Sequence, residues 1–263
     1  MDINGERLRA DLSGSYAAID VVASTGSTNA DLRIAAAQGA ADRTVLIAEE
    51  QTAGVGRRAR QWSSPKGSGI YLSVLLRPRE VPFAGLGSLS VVAGLAVRDV
   101  AARIGVDAVL KWPNDVLAGP GRGKCAGILS EAVAGDELSV VLGIGLNVLP
   151  LGEDVPTGPG GLAPTSLAEQ GATTTDRTEI AGLLLAALAE RELSWRIAGG
   201  DLTKAGLLPE YRRHCATIGQ DVNVLLPDGE VLSGRASDVD STGQLVVSGR
   251  TIFAGDVVHV RQA

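Results

Sequence analysis

Hydrophobic and polar positions divide the chain into two textures. Before about residue 200, apolar runs of strand length alternate with longer stretches at helical spacing; after Thr217 only short alternating strands remain. Ile19–Val22 reads as a strand, and Ser24-Thr-Gly-Ser-Thr-Asn29 caps a helix running to Gly39. Thr44–Ala48 is a second strand, and Gly69–Leu76 is a third, apolar enough to be buried on both faces. Leu86–Ile104 is expected to be a helix, with Leu89, Val92, Ala93, Ala96, Val97 and Val100 on one broad face and Gly105 as its stop. Ala108–Lys111 begins a strand that Pro113 ends. Cys125–Val133 and Leu138–Val148 form a hairpin across Ala134-Gly-Asp-Glu137. A Pro/Gly-rich connector, 149–166, leads to a long helix opened by Asp176 with Glu179 as a capping box. Asp201–Cys215 is a further helical piece that Pro209 is expected to break. Turns at Pro227-Asp-Gly229, Ser241-Thr-Gly243 and Ser248-Gly-Arg250 then mark a small β-barrel. This gives an α+β class, with a mixed sheet packed with helices over 1–215 and a small β-module over 216–263.

Composition narrows the function. With 45% hydrophobic residues in 263, the chain can bury a substantial core. No apolar run is read as long enough for a membrane span, and the start lacks the basic and apolar regions of a secretory signal, so the expected location is cytoplasmic, with no membrane partner. Two cysteines and two histidines, without CxxC or HxxxH spacing, point away from disulfide and histidine-metal chemistry. A net charge of -6 and a pI near 5.0 argue against a nucleic-acid partner.

Against that acidic background, residues 51–79 contain no Asp or Glu but carry Arg57, Arg58, Arg60, Lys66, Arg77 and Arg79. Gly54 and Gly56 bracket the first arginines, so a mobile loop there can bring N–H groups and guanidinium groups to an anion. A solvated basic loop has the same composition. Lys111, Trp112, Asn114 and Asp115 gather at a strand end, a set that suits phosphate with magnesium or a plain Pro-Asn-Asp turn. Ser27, Thr28 and Asn29 are both helix caps and polar-ligand donors. Two nucleotide motifs are nearly matched and fail. Gly121-Arg-Gly-Lys124 lacks the first P-loop glycine and continues into Cys125 and a strand, and Gly54-Val-Gly56-Arg-Arg-Ala59 is not followed by a helix.

Five segments in one order, STGSTN (24–29), QTAGVGRRARQW (51–62), KWPND (111–115), GKCAGIL (123–129) and GIGLNV (143–148), resemble the biotin protein ligase family over nearly the whole chain. The resemblance implies a catalytic fold like that of class II aminoacyl-tRNA synthetases, with a C-terminal SH3-like module. It also implies that ATP and biotin give biotinyl-5'-AMP and pyrophosphate, and that the acyl group then passes to a lysine of a biotin carboxyl carrier domain. Carried over position by position, Ser27, Thr28, Asn29 and Gln51 meet the ureido ring, Gly56 and Arg57 wall the biotin, Lys124 lies at its carboxylate, and Val55 and Gly127 are further biotin-binding positions. Arg57, Arg60, Trp62, Lys111, Asn114, Asp115 and Asn147 serve the nucleotide, Trp62 stacking on adenine and Asn147 meeting its edge. Lys124, Arg57 and Lys111 are the expected catalytic cations, and Asp115 the candidate for a Mg2+ neighbour and for a base, since no motif holds a histidine.

The family's basic loop reads G-R-G-R-R-G-R, whereas here Val55 replaces the first arginine and Ala59 the third glycine, which restricts φ; Cys125 stands for a usual Leu as core filler. About eighteen residues precede the first strand, too few for the winged helix–turn–helix of repressor members. A lipoate-type ligase, a non-catalytic biotin or nucleotide module, and a sensor using the barrel for protein contacts remain the alternative readings. Oligomeric state is open between monomer and weak homodimer.

Overall fold

The computed structural model describes residues 2–134, 137–152, 155–158 and 161–260. Gly135 and Asp136 of the expected hairpin turn, and residues 153, 154, 159 and 160 of the connector, lie outside the described residues.

A seven-stranded mixed sheet has the order β1-β2-β3-β7-β6-β5-β4. Its strands are β1 (Ala18–Val22), β2 (Thr44–Ala48), β3 (Gly69–Leu76), β4 (Ala108–Lys111), β5 (Asp115–Ala118), β6 (Gly123–Val133) and β7 (Ser139–Asn147). Helix α1 (Gly5–Asp11) precedes the sheet, in which only β1 and β2 pair in parallel, with helix α2 (Thr28–Ala37) as their crossover. The start of α2 is set by Ser27, whose hydroxyl accepts from the Ala30 N–H at 3.5 Å. β3 lies inside the sheet, between β2 and β7, with all eight residues buried, as its apolar run demands.

Alternation along the central strands gives the sheet two unlike faces. Ile70, Leu72, Val74 and Leu76 of β3, with Leu142, Ile144 and Leu146 of β7, belong to the main core. On that core pack α3 (Leu89–Arg103), preceded by a 3₁₀ turn over Phe83–Ser88, and α4 (Arg177–Ile197). Phe83–Arg103 is, by length and composition, apolar enough to cross a membrane, which corrects the sequence expectation. Its mean hydropathy of 1.4 comes from core packing, because one side faces the sheet and another faces α4. On the opposite face, α2 covers a small cluster of Leu32, Ala36, Leu75 and Val141.

Three local expectations change. β5 is a strand absent from the sequence reading; it pairs with β4 through Lys111↔Asp115 around a cis Trp112–Pro113 peptide, so Pro113 closes a hairpin rather than ending the pairing. Pro209 lies in the first turn of α5 (Leu208–His214), where its missing N–H costs nothing, and so starts a helix rather than breaking one. At α4, Asp176 accepts from the N–H groups of Thr178 and Glu179, but the Glu179 carboxylate takes the Thr174 hydroxyl, so the box is not closed. The C-terminal strands β8 (Asp221–Leu225), β9 (Val231–Val239), β10 (Leu245–Val247), β11 (Arg250–Ile252) and β12 (Asp256–His259) form an antiparallel sheet of order β11-β10-β9-β8-β12. Its interior joins the main core, and Trp112 crosses between the two sheets, its backbone N–H on Thr217 Oγ1 and its indole on the Gly243 carbonyl.

Candidate active site

One row of cross-strand partners builds the floor of the site. Lys111 faces Asp115, Asp115 faces Gly127, Gly127 faces Gly145, and Gly145 faces Tyr71, across β4, β5, β6, β7 and β3. The glycines keep the floor low: a Cβ on Gly145 would lie 2.4 Å from Trp62 Nε1, and one on Gly127 would lie 2.8 Å from the same ring. One step along the same face, Ser73, Gly143 and Leu129 form the neighbouring row.

Lys124 joins this floor because β6 carries an irregularity. The register against β5 shifts between Val116 and Leu117, Cys125 turns into the core, and Lys124 comes onto the face of Gly127. Its ammonium lies 2.6 Å from Asp115 Oδ1 and 5.1 Å from the Trp62 ring centroid. Lys111 reaches Asp115 Oδ2 at 3.8 Å and donates to the Val257 carbonyl at 2.8 Å. Burial pulls the Lys111 amine below its ordinary range, opposed by the Asp115 charge. Burial raises the Cys125 thiol to about 12, which keeps it an inert core group.

Neutral hydrogen-bonding groups occupy the other side. Gln51 Oε1 accepts from the Thr28 N–H at 2.9 Å and its hydroxyl at 3.1 Å, while Gln51 Nε2 donates to Ser64 at 2.9 Å. Ser73 sits within reach of Thr28 Oγ1 and Asn29 Oδ1, at 2.7 and 2.6 Å, and Asn29 Nδ2 donates to Glu131 at 2.7 Å. Gly143 leaves room for this amide, since a Cβ there would come within 2.2 Å of Asn29 Oδ1.

The basic loop forms the roof as a tight hairpin. Trp62 N–H donates to Gly54 O at 2.8 Å, Gly56 N–H to Arg60 O at 2.7 Å, and Val55 bridges Gln61. Arg58 and Ala59 both take left-handed φ, at 56° and 55°, so the substituted glycine position does need that conformation. The arginines turn to the C-terminal sheet: Arg60 Nη2 lies 2.9 Å from Asp256 Oδ2, and Arg57 Nη1 3.6 Å from Oδ1 and 3.1 Å from Gly255 O. Arg58 Nη2 donates to Leu226 O at 2.8 Å. Desolvation lowers the Arg57 guanidinium's proton affinity, and the charges of Asp256 and Asp115 oppose that.

All of the site residues expected from the sequence line one cavity of about 370 Å3. A family model described as the biotin/lipoate A/B protein ligase family matches residues 20–147, and one described as the biotin protein ligase C terminal domain matches 217–260. Over 252 residues the chain is 47% identical to a biotin--[acetyl-CoA-carboxylase] ligase of Mycobacterium tuberculosis, covering 92% of this chain and 89% of that protein.

The chain belongs to the biotin protein ligase family.

A second family member, the biotin--[acetyl-CoA-carboxylase] ligase of Paracoccus denitrificans, is 31% identical over 87% of this chain and 93% of its own. The fold matches a biotin protein ligase from Aquifex aeolicus solved with biotin and ATP, at TM-score 0.75 and 24% identity, over 94% of this chain and all of that one.

Within this biotin ligase fold, several of the expected residues also carry contacts of their own. Asn114 Nδ2 donates to Ile128 O at 2.7 Å and so braces the β4–β5 turn. Asn147 Nδ2 is spent on Thr165 O at 2.9 Å, leaving its buried Oδ1 as an acceptor without a partner, like the donor Trp62 Nε1. Asp115 lies between two ammonium groups, an arrangement that holds cations rather than one that frees a base. Val55 is 47% exposed, with its backbone making the hairpin. Ser73, Gly143, Gly145, Asp256 and the connector residues Val155–Gly158 were not among the site residues expected from the sequence, although Gly143 and Gly145 lie within its GIGLNV segment. Alternation along β3 and β7 could have flagged Ser73 and the glycines as out of keeping with buried strands; nothing in the local sequence marks Asp256.

For magnesium, the described residues hold no group of three His, Cys, Asp or Glu able to cage an ion. The carboxylate in the cavity floor, Asp115, is already balanced by Lys111 and Lys124. A resident Mg2+ does not fit these donors; an ion held by the nucleotide's own phosphates is part of the substrate.

Proposed function

We propose that this chain activates biotin as biotinyl-5'-AMP at the expense of ATP and transfers it to a specific lysine of a biotin carboxyl carrier domain. The observation that carries this is the two-ended cavity: neutral donors and acceptors around Thr28, Asn29 and Gln51, and fixed cations at Lys111 and Lys124 across a glycine floor. Biotin has the matching form, with a neutral ureido head and a carboxylate tail.

In the first step a biotin carboxylate oxygen attacks the α-phosphorus, and the bond to the bridging oxygen breaks to release pyrophosphate. Two unit anions about 4 Å apart repel by about 4 kcal/mol at an effective dielectric of about 20, and preplaced ammonium groups offset this without reorganising. Lys124 serves the carboxylate and the phosphoryl oxygens, Lys111 supports them from its buried post, and Arg57 and Arg60 face the phosphates from the roof. Trp62 provides an aromatic surface for adenine, and Asn147 Oδ1 an acceptor for its amino group. Any magnesium would come with ATP as part of the substrate and would supply counter-charge to its phosphates, while the charges that this chain itself provides are those of Lys111, Lys124, Arg57 and Arg60. In the second step the acceptor's neutral amine attacks the acyl carbon, the C–O bond to phosphate breaks, and AMP leaves while the new amide loses its proton.

Residues 1–215 form the catalytic unit and 216–263 the C-terminal unit, and the reaction takes place in the cytoplasm, where ATP is supplied. Pyrophosphate release on mixing the protein with biotin and ATP tests this reading. No release, or equal release with lipoate in place of biotin, overturns it.

A further inference from the structure

The arginines of the basic hairpin do not point only at the cavity: three of them meet on the carboxylate of Asp256, the first residue of β12. We propose that Asp256 is a positioning residue, the catch by which the C-terminal sheet holds the basic hairpin closed over the reaction centre.

The ion pairs form a network rather than a scatter of surface contacts. Asp256 is 15% exposed and Arg57 21%. Arg60 makes a 2.9 Å hydrogen bond to Asp256 Oδ2, with Arg58 Nε at 3.7 Å from the same oxygen. Carbonyls of Gly255, Leu225 and Leu226 take further guanidinium N–H groups, so the hairpin is gripped by backbone on two sides of the carboxylate. An isolated exposed pair contributes little, but convergent, half-buried, charge-assisted bonds contribute more.

Asp256 is itself held in place. It pairs with Leu225 across β8, and Gly255 beside it is packed so closely that a Cβ would come within 2.6 Å of Val224. The next residue, Val257, offers its carbonyl to Lys111 Nζ. One short strand of the C-terminal unit therefore fixes a cation in the floor and the arginines in the roof. Three guanidinium groups on one carboxylate also leave the roof positive, so the catch closes the hairpin without cancelling its attraction for phosphate.

This inference rests on the functional reading above for what lies beneath the hairpin, and its test separates the two. Arg57, Arg58 and Arg60 are themselves tryptic sites, so limited trypsin digestion of the full chain without nucleotide, read by mass spectrometry, reports hairpin opening directly. Asp256→Asn should speed cleavage after these arginines by about tenfold, the scale of one lost charge-assisted hydrogen bond, and Asp256→Glu should restore most of the protection. The same variants, loaded with biotin and ATP and passed through a desalting column, should lose biotinyl-adenylate faster for Asn than for Glu. Unchanged cleavage in Asp256→Asn, with its melting temperature intact, overturns the catch. Faster cleavage without faster adenylate loss also overturns it as a positioning residue. Absence of pyrophosphate release from the unaltered protein overturns the functional reading instead, and the cleavage result still judges the catch.

Discussion

The ammonium of Lys124 lies 2.6 Å from Asp115 Oδ1, although the two residues come from different strands and Lys124 reaches that face only through the irregularity at Cys125. A cation fixed in this way needs no rearrangement when a second anion arrives. Lys124→Ala should therefore lower the rate of pyrophosphate release by at least about a hundredfold, the loss typical of one preorganised charge-stabilising group. Stopped assays with biotin and ATP check this, and near-normal rates would remove Lys124 from the centre.

Gly145 and Gly127 are the seat of the Trp62 indole. Gly145→Ala puts a methyl group within 2.4 Å of Trp62 Nε1, and the ring has to lift. Trp112 and Trp195 are buried elsewhere, so a red-shifted tryptophan emission in this variant reports Trp62. A rise of about tenfold in KM for ATP should accompany it, within the ~1–3 kcal/mol by which base–aromatic stacking is valued.

Ala59 occupies left-handed backbone space that costs a β-carbon about 1–2 kcal/mol. Ala59→Val should open the hairpin and expose it to trypsin severalfold faster, because a β-branched side chain tolerates this conformation least. Ala59→Gly should leave the hairpin at least as well protected. Equal digestion of both variants would show that the conformation at this position does not hold the hairpin.

His259 is half-buried, 3.2 Å from Thr217 Oγ1, and burial with the nearby Lys111 charge lowers its pKa from 6.5 to about 4. Protons then bind the unfolded chain more tightly than the folded one between these values. Stability from this group is complete above about pH 6.5 and is lost as the pH falls toward 4. After allowance for partial exposure the loss is about 1–2 kcal/mol. Urea unfolding at pH 7 and pH 4.5 should show a smaller drop in His259→Gln than in the unaltered protein.

What could be read from the sequence followed from how local each cause was. β2 and β3 have the bounds expected from their apolar runs, because a buried central strand writes its whole length in its composition. Ser27, Gln51, Lys111, Lys124 and Asn147 could be found because each lies in a short segment with its own turn or strand-end chemistry. β5 was invisible, since four residues beside a proline carry too little periodicity. The direction of Lys124 depended on a register shift against another strand, and Asp256 on the packing of a separate sheet. Neither is a property of neighbouring residues. Pro209 was misread because the same ring that disrupts a helix interior fits its first turn.

The Lys111 amine rests on the carbonyl of Val257, 146 positions further along the chain, and the Trp112 indole rests on that of Gly243. A fragment ending near residue 216 would leave the charge and the indole without these acceptors and bare the apolar patch they cross. Such a truncation should yield aggregated protein rather than a slower enzyme. The boundary at residue 216 separates two sheets in sequence but is no seam at which the molecule could be cut.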